Sequence, residues 1–330
     1  MQEKIALISF TEWGAETARS IQTVLGGDHT AADREVSFSL SDWAEQAFTR
    51  YTALIFVGAA GIAVRAISPW IRSKASDPAV LCVDEAGRFV IPLLSGHLGG
   101  ANALAEKLAE RLGATAVITT ATDLRHAFAV DLWAKKQGMT VLQPERIKTV
   151  SSKVLRGEQI QIACPWPVAG VLPSEVQLAD SGDVVVAYRP QQGTALQLVP
   201  RVLYLGIGCR RGTNAEHLES VFQRFCSERK LLPQAICGAA SIDVKADEPG
   251  LTAFCQSHAW PLAFFDAETL ASLEGDFSTS EFVRNTVGVD NVCERSAVLA
   301  SGGELIEKKY AYDGVTFALA LRTPKLDWSW

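Results

Sequence analysis

The chain has no C-x-x-C pair, and its seven cysteines (Cys82, Cys164, Cys209, Cys226, Cys237, Cys255 and Cys293) are scattered and odd in number. That spacing predicts neither a structural zinc site nor a disulfide framework. A basic excess is also missing: 31 Lys and Arg stand against 37 Asp and Glu, for a net charge of −6. The electrostatic footprint of a nucleic-acid binder is therefore excluded. No long apolar run occurs. The longest uncharged stretch, Phe89 to Ala105, contains His97, Asn102 and three glycines, which makes a poor membrane span. The first residues, MQEKIALISF, carry acid early and lack the apolar core and cleavage site of a secretion signal. Internal repeats and low-complexity segments are absent. The expectation is a cytoplasmic, reduced protein with no nucleic-acid or membrane partner.

The 330 residues are 48% hydrophobic and 21% charged, enough for a sizeable core and too apolar for disorder. The length suggests two or three domains. Short apolar runs at Ile5–Ile8, Leu54–Val57, Val80–Val83 and Val117–Thr119 read as strands buried on both faces of a parallel sheet. Ala101, Leu104, Ala105, Leu108 and Leu112 follow helical spacing after Gly99. VDEAGRFV reads as a hairpin turning near Glu85-Ala86-Gly87. Five prolines interrupt residues 151–200, where Gln159–Ile162 alternates and Val184–Tyr188 is β-branched. A second α/β unit opens at Val202–Gly208. Thr213 and Glu216 have capping-box spacing, Leu218, Val221, Phe222, Phe225 and Cys226 form a stripe, and Asp247-Glu248-Pro249 marks a further helix start. The fold class expected is α/β: two layered domains with mainly parallel sheets, at 1–150 and 201–330, joined by a small β-rich region at 151–200.

The chemistry is concentrated in strand-to-helix turns. Ser95-Gly96-His97-Leu98-Gly99-Gly100 links a strand to a helix, so its glycines and the helix N-terminus form an anion site. His97 inside it either acts as a general base or merely hydrogen-bonds the loop. Gly58–Gly61 is a second such turn, with Arg65 either holding a carboxylate or lying on the surface. Thr119 and Thr120, in the run Thr119–Asp123, offer hydroxyls to a ligand or to their own loop. Asp77 and Asp84 are turn formers or acids. In Gly206-Ile207-Gly208-Cys209-Arg210-Arg211-Gly212 the third glycine comes one place late for a dinucleotide fingerprint. Gly206, Gly208, Arg210 and Arg211 suit a carboxylate instead, with Asp243 and Lys245 either contacting it or salt-bridging one another. Cys209 is a nucleophile by position only, and an incidental thiol is favoured. Four turns bearing His and Arg point to a large polyanionic ligand, which the residues alone do not name.

The segments FVGAAGIAVRAISPWIRSKASDPAVLCVDEAGRFVIPLLSGHLGGANALAEKLAERLGATAVITTATD, LGIGCRRGTNAEHLE, SIDVKADEPGL and SEFVRNTVGVDNVCERSAVLASGGELI resemble the cobalt-precorrin-5A hydrolase family of anaerobic cobalamin biosynthesis. The resemblance covers nearly the whole chain and is weakest in the proline-rich middle. It implies a hydrolase whose substrate is a cobalt-bound, ring-contracted tetrapyrrole with a ring A δ-lactone. Water opens the lactone, and the extruded meso carbon leaves as acetaldehyde, giving cobalt-precorrin-5B. It also implies no NAD, flavin or protein-bound metal, since the cobalt arrives in the substrate. A homodimer and transient contacts with neighbouring pathway enzymes stay open. The resemblance assigns no residue roles. Residue chemistry suggests His97 as base, Gly99 and Gly100 N–H groups with Arg65 as oxyanion donors, and Arg210 and Arg211 as grips for peripheral carboxylates. Rival readings are a non-catalytic tetrapyrrole carrier or chaperone, a nucleotide-dependent oxidoreductase, and His97 as an axial ligand to the substrate's cobalt.

Overall fold

In the computed structural model, the described residues are 4–32, 38–73, 76–97, 99–120 and 127–330. The chain forms two compact units, residues 1–132 with 154–157, and residues 133–153 with 158–330.

The first unit is built on a sheet of β1 (Ile5–Ser9), β2 (Asp28–Ala31), β3 (Ala53–Val57), β4 (Ala79–Val83), β5 (Phe89–Leu94) and β6 (Thr115–Ala116), in the order β2-β1-β3-β4-β5-β6. Helices α1 (Glu12–Leu25) and α4 (Ala101–Leu112) share one core with Leu7, Ile55 and Leu81, while α2 (Leu40–Arg50) and α3 (Ala60–Ile67) share another with Ile8, Phe56 and Val80. Alternate residues of each strand thus feed opposite layers, which is why these strands read as continuous apolar runs. The strand expected at Val117–Thr119 lies earlier, at Thr115–Ala116; Val117 N–H adds only one more ladder bond, to Val90 O at 2.9 Å.

Two strands, β5 and β6, run the other way. β1, β2, β3 and β4 are mutually parallel, but β5 is antiparallel to β4, returning through the expected hairpin. Asp84 makes that turn: its Oδ1 accepts from the N–H groups of Arg88 (2.8 Å) and Phe89 (2.6 Å). Leu94, at the end of β5, therefore sits opposite Val80, near the start of β4. Whatever follows β5 emerges at the end of the sheet opposite the carboxyl ends of β1, β3 and β4.

Among the described residues the second unit contains two five-stranded sheets and one two-stranded sheet. One has the order β10-β8-β11-β12-β7, from β7 (Met139–Val141), β8 (Ile160–Ala163), β10 (Val176–Leu178), β11 (Val184–Val186) and β12 (Leu196–Pro200). A short strand β9 (Val168–Ala169) pairs with β18 (Leu326–Asp327). Because β7 pairs with β12, this strand-rich region starts before residue 150, and the borders expected at 150 and 200 are not the borders of the compact units. The other five-stranded sheet has the order β15-β14-β13-β17-β16: β13 (Leu203–Cys209), β14 (Ile236–Ile242) and β15 (Leu262–Phe265) are parallel, and β16 (Glu304–Tyr312) and β17 (Val315–Leu321) antiparallel.

Helix α5 (Val130–Lys136) passes from the first unit into the second, and α6 (Ile147–Leu155) follows. In the second unit α7 (Ala215–Arg229) buries the expected stripe Leu218, Val221, Phe222, Phe225 and Cys226 against the sheet, beside α8 (Pro249–Ser257). Its cap is Asn214 rather than Thr213: the Asn214 side chain accepts from His217 N–H (2.8 Å), while the Thr213 hydroxyl closes the preceding turn on Arg210 O (2.8 Å). Helices α9 (Ala267–Ser272), α10 (Glu281–Val287) and α11 (Cys293–Ser301) complete the unit. α11 lies so close to β13 that a Cβ on Gly206 would come within 1.7 Å of Cys293 O.

Candidate functional site

The turn after β5 is held from several sides. Asp77, buried, accepts from the N–H groups of Arg72 (2.9 Å) and Ser73 (3.0 Å), which makes it a turn former. Its carbonyl in turn accepts from the Ser95 hydroxyl (3.0 Å). Ser95 adopts a φ of +58°, an uncommon conformation for a side-chain-bearing residue. Gly99 is required by close approach, since a Cβ there would lie 2.3 Å from Ser95 Cβ. Thr120 joins this turn through Asn102, whose Nδ2 donates to Thr120 Oγ1 (3.0 Å). Thr119 is exposed, and Thr122 and Asp123 lie outside the described residues.

The turn's N–H groups are largely used internally. Gly100 N–H donates to His97 O (2.9 Å), Ala101 N–H to Ser95 O (3.1 Å) and Asn102 N–H to Gly96 O (3.0 Å). The anion site expected at the N-terminus of α4 is thus mostly filled by carbonyls of the same turn, and Gly100 is not an open oxyanion donor. Gly99 takes no part in those bonds. Thr120 accepts from Asn102, so its own hydroxyl hydrogen is left to donate elsewhere.

The imidazole of His97 has a partner that the sequence did not indicate. His97 Nδ1 lies 3.2 Å from Asp131 Oδ2, and the two side chains are only 13% and 9% exposed. A carboxylate can only accept, so this contact calls for a proton on Nδ1, and in the neutral ring the lone pair is then on Nε2. Low exposure keeps the pair from being weakened by solvent. Asp131 Oδ1 is buried without a hydrogen-bond partner among the described residues. A histidine whose tautomer is fixed by a buried carboxylate is a competent general base.

Arg65 is not brought to this group. It lies exposed on α3, and its Nη1 turns back to Gly61 O (3.3 Å), toward the carboxyl end of β3. Gly58 N–H bonds Val83 O there, whereas the His97 turn is anchored at Asp77, before β4 begins. The expected partnership of Arg65 with His97 fails because β5 is reversed.

In the second unit, a cavity of about 830 Å³ opens beyond the carboxyl ends of β13 and β14. Gly208, Arg210, Arg211 and Lys245 line it, together with apolar Ile242, Val283 and Val292. Its volume is that of a pocket for a large ligand, within the range of about 300–1,000 Å³. Gly206 instead serves packing against α11, and exposed Asp243 binds the N–H of its neighbour Val244 (2.7 Å). Cys209 also lines the cavity, and burial, first among the influences, pushes its thiol pKa up. That makes it a poor nucleophile. Among the described residues no group of three His, Cys, Asp or Glu could hold a metal ion, and no helix is long and apolar enough to cross a membrane.

The chain matches three family models: cobalamin synthesis G N-terminal over residues 42–123, cobalamin biosynthesis central region over 128–204, and cobalamin synthesis G C-terminus over 203–320. It is 36% identical to a cobalt-precorrin-5A hydrolase of Salmonella typhimurium, covering 97% of this chain and 98% of that one. With a cobalt-precorrin-5A hydrolase of Priestia megaterium the identity is 28%, covering 96% and 94%. Protein CobE of Sinorhizobium sp is 36% identical over 36% of this chain and 79% of its own.

Proposed function

The chain belongs to the cobalamin synthesis G family of hydrolases, and from that membership we propose that it is a cytoplasmic cobalt-precorrin-5A hydrolase acting through His97. The observation that carries the residue assignment is the His97–Asp131 contact of 3.2 Å in a shielded turn. The substrate is the cobalt-bound, ring-contracted tetrapyrrole, and the cobalt is part of that substrate.

His97 Nε2 takes a proton from water as the water oxygen attacks the lactone carbonyl. Asp131 steadies the imidazolium that results. The oxyanion is met by Gly99 N–H and the Thr120 hydroxyl. Collapse breaks the acyl–oxygen bond, leaving a ring A acetate and an alkoxide on the extruded two-carbon unit. The alkoxide reforms as a carbonyl, the carbon–carbon bond to the macrocycle breaks, and acetaldehyde departs. The electron pair passes into the cobalt-bound ring system, which then takes up a proton. The macrocycle serves as electron sink, while the protein supplies base, orientation and oxyanion donors.

Incubating the protein anaerobically with cobalt-precorrin-5A and assaying acetaldehyde tests this reading. The large cavity of the second unit also suits a non-catalytic tetrapyrrole carrier. Binding without acetaldehyde would favour that second reading.

A further inference from the structure

The turn after β13 already holds a carboxylate, and it is the protein's own. Glu248 is 4% exposed, and its Oε2 accepts from Gly212 N–H at 2.8 Å. Its Oε1 lies 3.0 Å from Lys245 Nζ and 3.7 Å from Arg211 Nε. Arg211 also meets Asp247 at 3.8 Å. The backbone donor, Lys245 and Arg211 are therefore engaged with acidic side chains of this unit. Two cations that line the same cavity are not: among the described residues neither Arg210 nor Lys309 forms a salt bridge.

Each of the two is held by its backbone. Arg210 N–H donates to Gly314 O (3.1 Å), and the Arg210 stem covers Gly314 so closely that a Cβ there would meet its Cδ at 2.8 Å. Lys309 N–H donates to Oε1 of Glu294 (2.6 Å), a fully buried residue that also accepts from the Ser278 hydroxyl (2.7 Å) and the Ser278 N–H (2.8 Å). The preceding residue, Lys308, is more exposed and pairs with Asp276 at 2.7 Å. The rest of the wall mixes apolar Ile242, Val283 and Val292 with polar Ser280, Asn291 and Thr316. One carboxylate also lines it, that of Asp313, which lies 3.6 Å from His217 Nε2.

We propose that this cavity is a binding site for an apolar macrocycle bearing peripheral carboxylates, and that Arg210 and Lys309, not Arg211 or Lys245, grip those carboxylates. Glu248 keeps the other two cations occupied and so sets which positions can accept charge. The inference deepens the hydrolase reading and rests on it for the substrate's identity. The site chemistry itself requires only a polycarboxylate of that size.

The test uses the full chain and two readouts. Uroporphyrin, an octacarboxylate macrocycle, is titrated by fluorescence, with its octamethyl ester as uncharged control, and KM for cobalt-precorrin-5A is measured by acetaldehyde release. Arg210→Gln and Lys309→Gln should each raise the uroporphyrin Kd about tenfold. Lys309→Arg should restore binding, and Lys308→Gln, which removes the same charge outside the cavity, should leave it unchanged. Ester binding should not respond to any of them. Wild-type Kd in both Arg210→Gln and Lys309→Gln overturns the proposal, as does equal weakening by Lys308→Gln. Arg210 is exposed, so its variant stays informative even if Lys309→Gln fails to fold. A wild-type protein that binds uroporphyrin through these residues but releases no acetaldehyde overturns the hydrolase reading alone. Turnover with an unaltered KM in both variants overturns the grip alone.

Discussion

His97 and Asp131, 34 positions apart in sequence, meet at 3.2 Å with little solvent exposure. His97→Ala removes the imidazole that Asp131 orients. Acetaldehyde release should fall by at least about 100-fold, the scale of general-base catalysis. Substrate affinity, read by a spectroscopic titration, should change little. Near wild-type turnover would remove His97 from the mechanism.

Asp131→Asn keeps the shape of the side chain and presents a different hydrogen-bonding set to Nδ1. The imidazole then loses its enforced tautomer. Turnover should fall roughly 10- to 100-fold, with KM preserved. Asp131→Glu should recover part of kcat. A loss appearing only in KM would assign Asp131 to binding.

The two variants Gly99→Ala and Gly113→Ala separate close approach from backbone conformation. A Cβ at Gly99 meets Ser95 at 2.3 Å, whereas Gly113, at φ +65°, has nothing within 4 Å. Gly113→Ala should cost about 1–2 kcal/mol in urea unfolding, the left-handed penalty, and leave turnover intact. Gly99→Ala should lower turnover more than stability, because the turn that places His97 must be rebuilt.

Glu248 carries a pH signature. Burial, the largest influence, raises its carboxyl, but Gly212 N–H, Lys245 and Arg211 together bring the pKa below its ordinary 4.5. Between that lowered value and 4.5 the unfolded chain holds more protons, so stability rises with pH there. The contribution is present above 4.5 and disappears as pH falls through the folded value. The urea-midpoint gap between wild type and Glu248→Gln should therefore narrow on acidification from pH 6 toward 3. A gap independent of pH would show that the carboxylate charge is not what stabilises this turn.

Much of the fold was legible because it rests on burial. The apolar runs of β1, β3 and β4 and the stripe of α7 name their own layers. The hairpin at Asp84–Gly87 is legible as turn chemistry, but no local pattern shows that the antiparallel β5 carries Ser95–Gly100 to the opposite end of the sheet. Asp131 reads as an ordinary first-turn acid of α5, with no spacing that ties it to His97. Lys309 reads as half of an exposed lysine pair until β16 separates it from Lys308. Arg211 and Lys245 look available in sequence, because nothing local reveals that Glu248 folds back onto both.

The reversed β5 has an energetic corollary. It separates the His97 turn from the Gly58–Arg65 turn by the length of a strand, roughly 15 Å. Groups that far apart without shared partners act additively. In a double-mutant cycle, Arg65→Ala with His97→Ala should show a coupling energy near zero in urea unfolding. The two ends of one sheet are then, in thermodynamic terms, independent surfaces.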